Sequence, residues 1–199
     1  MRFVSTRVHA AVLAGGRSSR MRTDKRFLKF EGVPLVDRAL RLASESVGTH
    51  QCRVYLCGDV PNRECIPDIQ PGLGPAAGVM SAIDAVMSQE IEENSWLLIL
   101  PVDMPLLTVQ VLQRLIGYRE CAAVGYQGFE MPFLMSCTFE TQKIVHDHCQ
   151  TDQASQRSIR LLQELLGVQR LPIEVELCGV MANTNFLSDW EKINEGVLL

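Results

Sequence analysis

The sequence predicts a three-layer α/β domain, with a mostly parallel sheet between helices, and three observations carry that prediction. Short apolar runs alternate with helix-period segments along most of the chain. The run from residue 96 to 100 is continuous in apolar residues, the pattern of a strand covered on both faces, and the run ending at Ala14 reads as a buried strand. The segments between runs are long enough for right-handed helical crossovers. With 199 residues, 47% hydrophobic and 21% charged, the chain can bury one sizeable core and is expected to form a single domain over residues 1–199.

Residues 8–14 read as the first strand. A helix opens at Pro34, whose fixed φ suits a first turn, and Leu35, Val36, Ala39, Leu40, Leu42, Ala43 and Val47 follow the three-four spacing of a buried face. Residues 53–57 read as a second strand. Gly74-Pro75 starts another helix, with Ala76, Val79, Met80, Ile83, Val86 and Met87 along one stripe. Residues 96–100 read as a third strand, and Thr108 as the cap of a helix carrying Val111, Leu112, Leu115 and Ile116. Further along, residues 121–125, 133–136 and 171–176 are expected as strands, and residues 138–149, 158–166 and 187–194 as helices.

Composition excludes several classes of function. A net charge of −4 argues against a broad nucleic-acid surface. No apolar run approaches the length of a membrane span. The basic start of the chain mimics a signal peptide, but the apolar run after it is too short, so a cytoplasmic protein is expected. Seven cysteines, an odd number without Cys-x-x-Cys spacing, read as free thiols, with Cys57, Cys121, Cys137 and Cys178 in apolar surroundings. His146 and His148 stand two apart, which on a helix does not give a shared face, so no metal site is expected there.

Two stretches carry chemistry. The first strand stops at Gly15 and Gly16, where the absence of Cβ atoms lets a ligand approach the backbone, and Arg17, Arg20, Arg22 and Lys25 follow closely. Free amides beside cations suit a polyphosphate. The second stretch is Leu98-Ile99-Leu100-Pro101-Val102-Asp103-Met104-Pro105. A carboxylate just after a buried strand lies at the sheet's carboxyl edge, where open α/β sheets bind ligands, and one such Asp with phosphate oxygens and waters is an ordinary magnesium site. The alternative is a helix cap, for which Thr108 competes. Between them, residues 68–78 contain neither a Rossmann Gly-x-Gly-x-x-Gly nor a Walker sequence, and by themselves read as a loop entering a helix.

Leu13-Ala14-Gly15-Gly16-x-Ser18-x-Arg20-Met21-x-x-Asp24-Lys25 resembles the signature loop of the molybdenum cofactor guanylyltransferases. Pro101-Val102-Asp103-Met104-Pro105 is similar to their Pro-Cys-Asp-Met-Pro motif, with Val102 in place of Cys. Gly74-Pro75-Ala76-Ala77-Gly78 resembles their Gly-Pro-Leu-Ala-Gly, with Asp68 six residues upstream of the motif, and the stretch from Asn183 to Trp190 resembles their closing Asn-Ile-Asn segment. The family commonly has Gly where this chain has Arg22, and a nucleotide-contacting Asn where it has Asp59.

The resemblance implies a Rossmann-like nucleotidyltransferase fold with one antiparallel strand in a mostly parallel sheet. It also implies Mg2+-dependent transfer of GMP from GTP to the phosphate of molybdenum-bound molybdopterin. On the matching positions, Leu13, Ala14, Gly15, Gly16, Lys25, Asp59, Asp68 and Asp103 would bind nucleotide. Arg20 and Lys25 would counter phosphate charge, and Asp103 would hold the metal. Asn183 or Asn185 would offer an amide oxygen to metal or substrate, although Asn185 is equally placed to cap the last helix. Residues 127–132 would form either a rim for the larger substrate or a plain hairpin, and residues 156–160 either phosphate-binding cations or an exposed helical turn. Expected partners are GTP, the molybdenum-bound pterin, and transiently a molybdoenzyme or its chaperone. Two further readings stand beside this one: the same chemistry with CTP or another phosphorylated acceptor, and a relative that binds nucleotide or pterin without turnover.

Overall fold

The computed structural model describes residues 7–15, 24–48, 52–67, 74–89, 95–151 and 157–184. Its centre is strand β1, Arg7–Leu13, flanked in parallel by β4, Val54–Cys57, and β5, Ser95–Pro101. The sheet continues through β7, Phe133–Cys137, β6, Ala123–Tyr126, and β8, Gln169–Leu171. The order across the sheet is β4-β1-β5-β7-β6-β8, and β7 alone runs against the others. One antiparallel strand in an otherwise parallel six-stranded sheet is the expected arrangement. A hairpin of β2, Lys29–Phe30, and β3, Val33–Pro34, stands apart, turning through Glu31 and Gly32, both at positive φ.

Apolar runs without alternation make sense once the two sheet faces are separated. Ala10, Val12, Leu98 and Leu100 point into one core, while Ala11, Leu13, Leu97 and Ile99 point into the other. The first core is closed by α1, Leu35–Val47, and α3, Val109–Gly117. The second is closed by α2, Pro75–Met87, α4, Phe139–Cys149, and α5, Ile159–Leu165. These are the three layers. Helix starts follow local chemistry. Thr108 accepts from the Val111 amide, Thr138 and Thr141 form a reciprocal capping box, Ser158 accepts from the Leu161 amide, and Pro75 occupies the first turn of α2.

Two expectations need correction, and one element was not expected. The late strand expected over residues 171–176 lies earlier, at β8, because Pro172 has no N–H to continue the ladder; a short helix, α6, Val175–Cys178, follows instead. The hairpin around Glu31 was not foreseen. Cys178 is exposed rather than apolar-packed, whereas Cys57, Cys137 and Cys149 are buried and all seven cysteines are free thiols. The final helix expected over residues 187–194 lies outside the described residues. Among the described residues no helix is long and apolar enough to cross a membrane, and no group of three His, Cys, Asp or Glu side chains could hold a metal ion. His146 instead bonds Asp84 of α2 at 2.8 Å, and His148 is buried on the inner side of α4.

Candidate active site

The parallel strands β4, β1 and β5 end side by side, and the chain leaves each of them into the same region. Hydrogen bonding continues just past the ladder: the Ala14 amide donates to the Cys57 carbonyl at 2.9 Å, and the Val102 amide to the Leu13 carbonyl at 3.2 Å. Ala14 is buried and Gly15 is exposed, so the backbone surfaces at the glycine. Beside it lies Gly58, at φ +113°, whose amide donates to the Ile66 carbonyl at 3.0 Å. A Cβ on Gly58 would stand 2.8 Å from the Gly15 nitrogen and 2.9 Å from its Cα. Glycine at position 58 is therefore required twice over, for its dihedral and for the contact.

Lys25 opens a single 3-10 turn, Lys25–Phe27, capped by the Asp24 carboxylate. Its Nζ reaches the Asp103 Oδ2 at 2.5 Å across 78 residues of sequence. Both groups are largely enclosed, with side-chain exposures of 22% and 11%. Asp103 sits in the turn directly after β5, at the carboxyl edge predicted for it, and it does not cap α3, whose cap is Thr108. The Asp103 carbonyl accepts from both the amide and the hydroxyl of Thr184, at 2.9 and 3.2 Å. Thr184 is fully buried, so a segment 81 residues away fixes the turn that carries the carboxylate.

Arg26 ties the remaining pieces. Its Nε and Nη2 fork onto the Asp24 carboxylate at 2.6 to 3.0 Å. Its Nη1 donates to the carbonyls of Ala14, at 3.3 Å, and Asp59. One guanidinium thus joins the loops after β1 and β4 to the Lys25 turn. The hydrogen bond from Arg26 holds the Asp24 carboxyl below the usual carboxylate range, and the same bond raises the guanidinium.

The structure brings Leu13, Ala14, Gly15, Lys25 and Asp103 together at one edge of the sheet. Asp59 joins them through its backbone, with its carboxyl on an exposed residue, and Asn183 is exposed one residue before Thr184. Gly16, Arg20, Asp68 and Asn185 lie outside the described residues. Residues 127–132 connect β6 to β7 as a hairpin on this same edge, because Tyr126 ends a strand parallel to β5. Sequence reasoning missed Arg26, Gly58 and Thr184. Of these only Gly58 carried a signal, a glycine directly after a predicted strand.

The sheet is mostly parallel with one reversed strand, and Gly15, Lys25 and Asp103 stand together at its carboxyl edge. The chain belongs to the MobA-like NTP transferase family, whose domain model matches residues 10–166. It is 30% identical over 182 residues to the molybdenum cofactor guanylyltransferase of Xanthomonas euvesicatoria pv. vesicatoria, covering 92% of each chain. In fold it resembles molybdopterin-guanine dinucleotide biosynthesis protein A from Archaeoglobus fulgidus, with a TM-score of 0.70 at 19% identity over 94% of this chain and 97% of that one. It also resembles 4-diphosphocytidyl-2C-methyl-D-erythritol synthase from Anaerococcus prevotii, with a TM-score of 0.63 at 10% identity over 96% of each chain.

Proposed function

We propose that this chain transfers GMP from GTP to the phosphate of molybdenum-bound molybdopterin, giving a guanine dinucleotide cofactor and pyrophosphate. The observation that carries this reading is the meeting of Lys25 and Asp103 beside the Gly15 backbone. The guanylyltransferase name of the Xanthomonas relative supports the choice of nucleotide and acceptor. In the reaction an oxygen of the acceptor phosphate forms a bond to the α-phosphorus of GTP, and the bond from that phosphorus to the β-phosphate oxygen breaks. A phosphate monoester is already an anionic nucleophile, so positioning and charge neutralisation are the protein's main contributions.

Each residue has a defined task in this reading. Backbone amides around Gly15 and Gly16 approach the triphosphate, and Lys25 and Arg20 neutralise it. The Asp59 carboxylate accepts from the guanine N–H groups, and Asp68 helps hold the nucleotide. Asp103 would hold a magnesium ion, its hard carboxylate leaving most of the coordination shell to water and phosphate oxygens. An ion held there would supply charge neutralisation to the triphosphate. Lys25, now on Asp103, would turn its ammonium to the phosphates. Asn183 or Asn185 contributes an amide oxygen near the same point. Residues 1–199 act as one domain in the cytoplasm and pass the product to a molybdoenzyme or its chaperone.

The test is the mass of the product formed from freshly prepared molybdenum-bound molybdopterin with each of the four nucleoside triphosphates and Mg2+. A guanine dinucleotide formed from GTP alone supports the proposal. A cytosine dinucleotide keeps the mechanism and overturns the base. No product from protein that binds GTP overturns the acceptor or the catalysis.

A further inference from the structure

The loop between β6 and β7 leaves the sheet on the same edge as Asp103, yet on the far side of β5 from Gly15 and Gly58. Gln127, Gly128 and Glu130 are exposed, and a surface loop ordinarily gives its carbonyls to water. Here two side chains from other elements take them. Gln163 of α5 is 1% exposed, and its Nε2 donates to the Glu130 carbonyl at 2.6 Å. Its Oε1 accepts from Nη2 of Arg170, on β8, at 2.7 Å. Arg170 Nη1 donates to the Phe129 carbonyl at 2.9 Å and the Tyr126 carbonyl at 3.4 Å. Gly125 leaves room for this guanidinium, since a Cβ there would stand 3.2 Å from Nη1.

We infer that Gln163 and Arg170 are positioning residues for the acceptor substrate, acting through the loop they hold. The inference rests on the reaction proposed above. In an in-line displacement the attacking oxygen approaches opposite the leaving pyrophosphate. With the nucleotide phosphates at the glycine loop, the acceptor comes from the β6–β7 side, where this loop is the nearest border of the sheet edge. A loop pinned at three carbonyls presents one fixed surface to the incoming molecule, and fixing it beforehand removes an ordering cost from binding. Gln163 is suited to the task because its amide donates and accepts at once, and Arg170 because its planar fork spans Gln163 Oε1 and the Phe129 and Tyr126 carbonyls, which a single lysine ammonium does not match.

The experiment compares wild type with Arg170→Lys, which keeps the charge and loses the fork, and Gln163→Met, which keeps the volume and loses both hydrogen bonds. Dissociation constants are measured separately for molybdopterin and for GTP, and turnover is measured with the acceptor varied. The expected result is about tenfold weaker molybdopterin binding in each variant, from loss of one or two net hydrogen bonds. GTP affinity stays unchanged, and the acceptor KM rises more than kcat falls. Equal losses for both ligands, or none, overturn the inference and leave the reaction standing. Wild-type protein that binds GTP and not the pterin overturns the proposed acceptor, and this inference with it.

Discussion

Replacing Gly58 by alanine tests whether the glycine loop owes its shape to a contact between two strand ends. The new Cβ would lie 2.8 Å from the Gly15 nitrogen, 2.9 Å from its Cα and 3.1 Å from the Ala14 carbonyl carbon. All three neighbours are backbone, so no side chain can swing away. The residue also sits at φ +113°, where an L side chain costs about 1–3 kcal/mol. Overpacking against fixed atoms adds about 1–3 kcal/mol. If the fold absorbs both, stability falls by about 2–6 kcal/mol, a drop of about 1–3 M in urea midpoint for a slope near 2 kcal/mol/M. If the Gly15 backbone yields instead, the stability loss is smaller and GTP binding weakens by about tenfold or more. Urea unfolding and calorimetric titration with GTP, run on the same preparation, separate the two routes. A variant within about 0.5 kcal/mol and about twofold of wild type on both measures would show that the Gly58–Gly15 contact does not shape the loop.

Two other changes probe the neighbouring groups. Arg26→Lys keeps a cation and loses the fork onto Asp24 and the carbonyls of Ala14 and Asp59, so stability falls by about 1–2 kcal/mol, discounted for partial exposure. Because the Asp24 carboxyl is held below its ordinary 3.8, the contribution is present above that pH and lost as pH falls through the lowered folded value; urea midpoints of the two proteins should converge in that acid range. His148→Gln reports on the other face of the sheet. Burial lowers the folded His148 below 6.5, so the unfolded chain binds more protons just under that pH and wild-type stability declines there as pH falls. The variant should lose that part of the slope between pH 7.5 and the lowered value, and an unchanged slope would show that burial of His148 does not govern it.

The sheet was legible because its central strands are apolar on both faces, a pattern that survives any detail of packing. Asp103 was legible for the same reason, since a lone acid after such a run can only be at the strand's end. The fold's closing segment was less so: Pro172 was available as a stop signal, yet apolar residues on either side of it suggested a strand across it. The Glu31–Gly32 turn hid because glutamate is an unusual residue at positive φ. Arg26 and Thr184 were illegible for a different reason. Both act on backbone carbonyls far away in sequence, and a carbonyl leaves no residue-type signature. Lys25 and Asp103 were each singled out, but nothing in their sequence positions, 78 apart, predicted that they touch.

In the proposed reaction Lys25 and Asp103, beside Gly15, are the centre of nucleotidyl transfer. Pyrophosphate release from GTP in the presence of molybdenum-bound molybdopterin tests it most directly, measured with and without Mg2+ for wild type and Asp103→Asn. Release by wild type should vanish without the metal, and Asp103→Asn, which still folds and binds GTP, should lose at least about a thousandfold. Metal-responsive release by Asp103→Asn at a rate near that of wild type would contradict it.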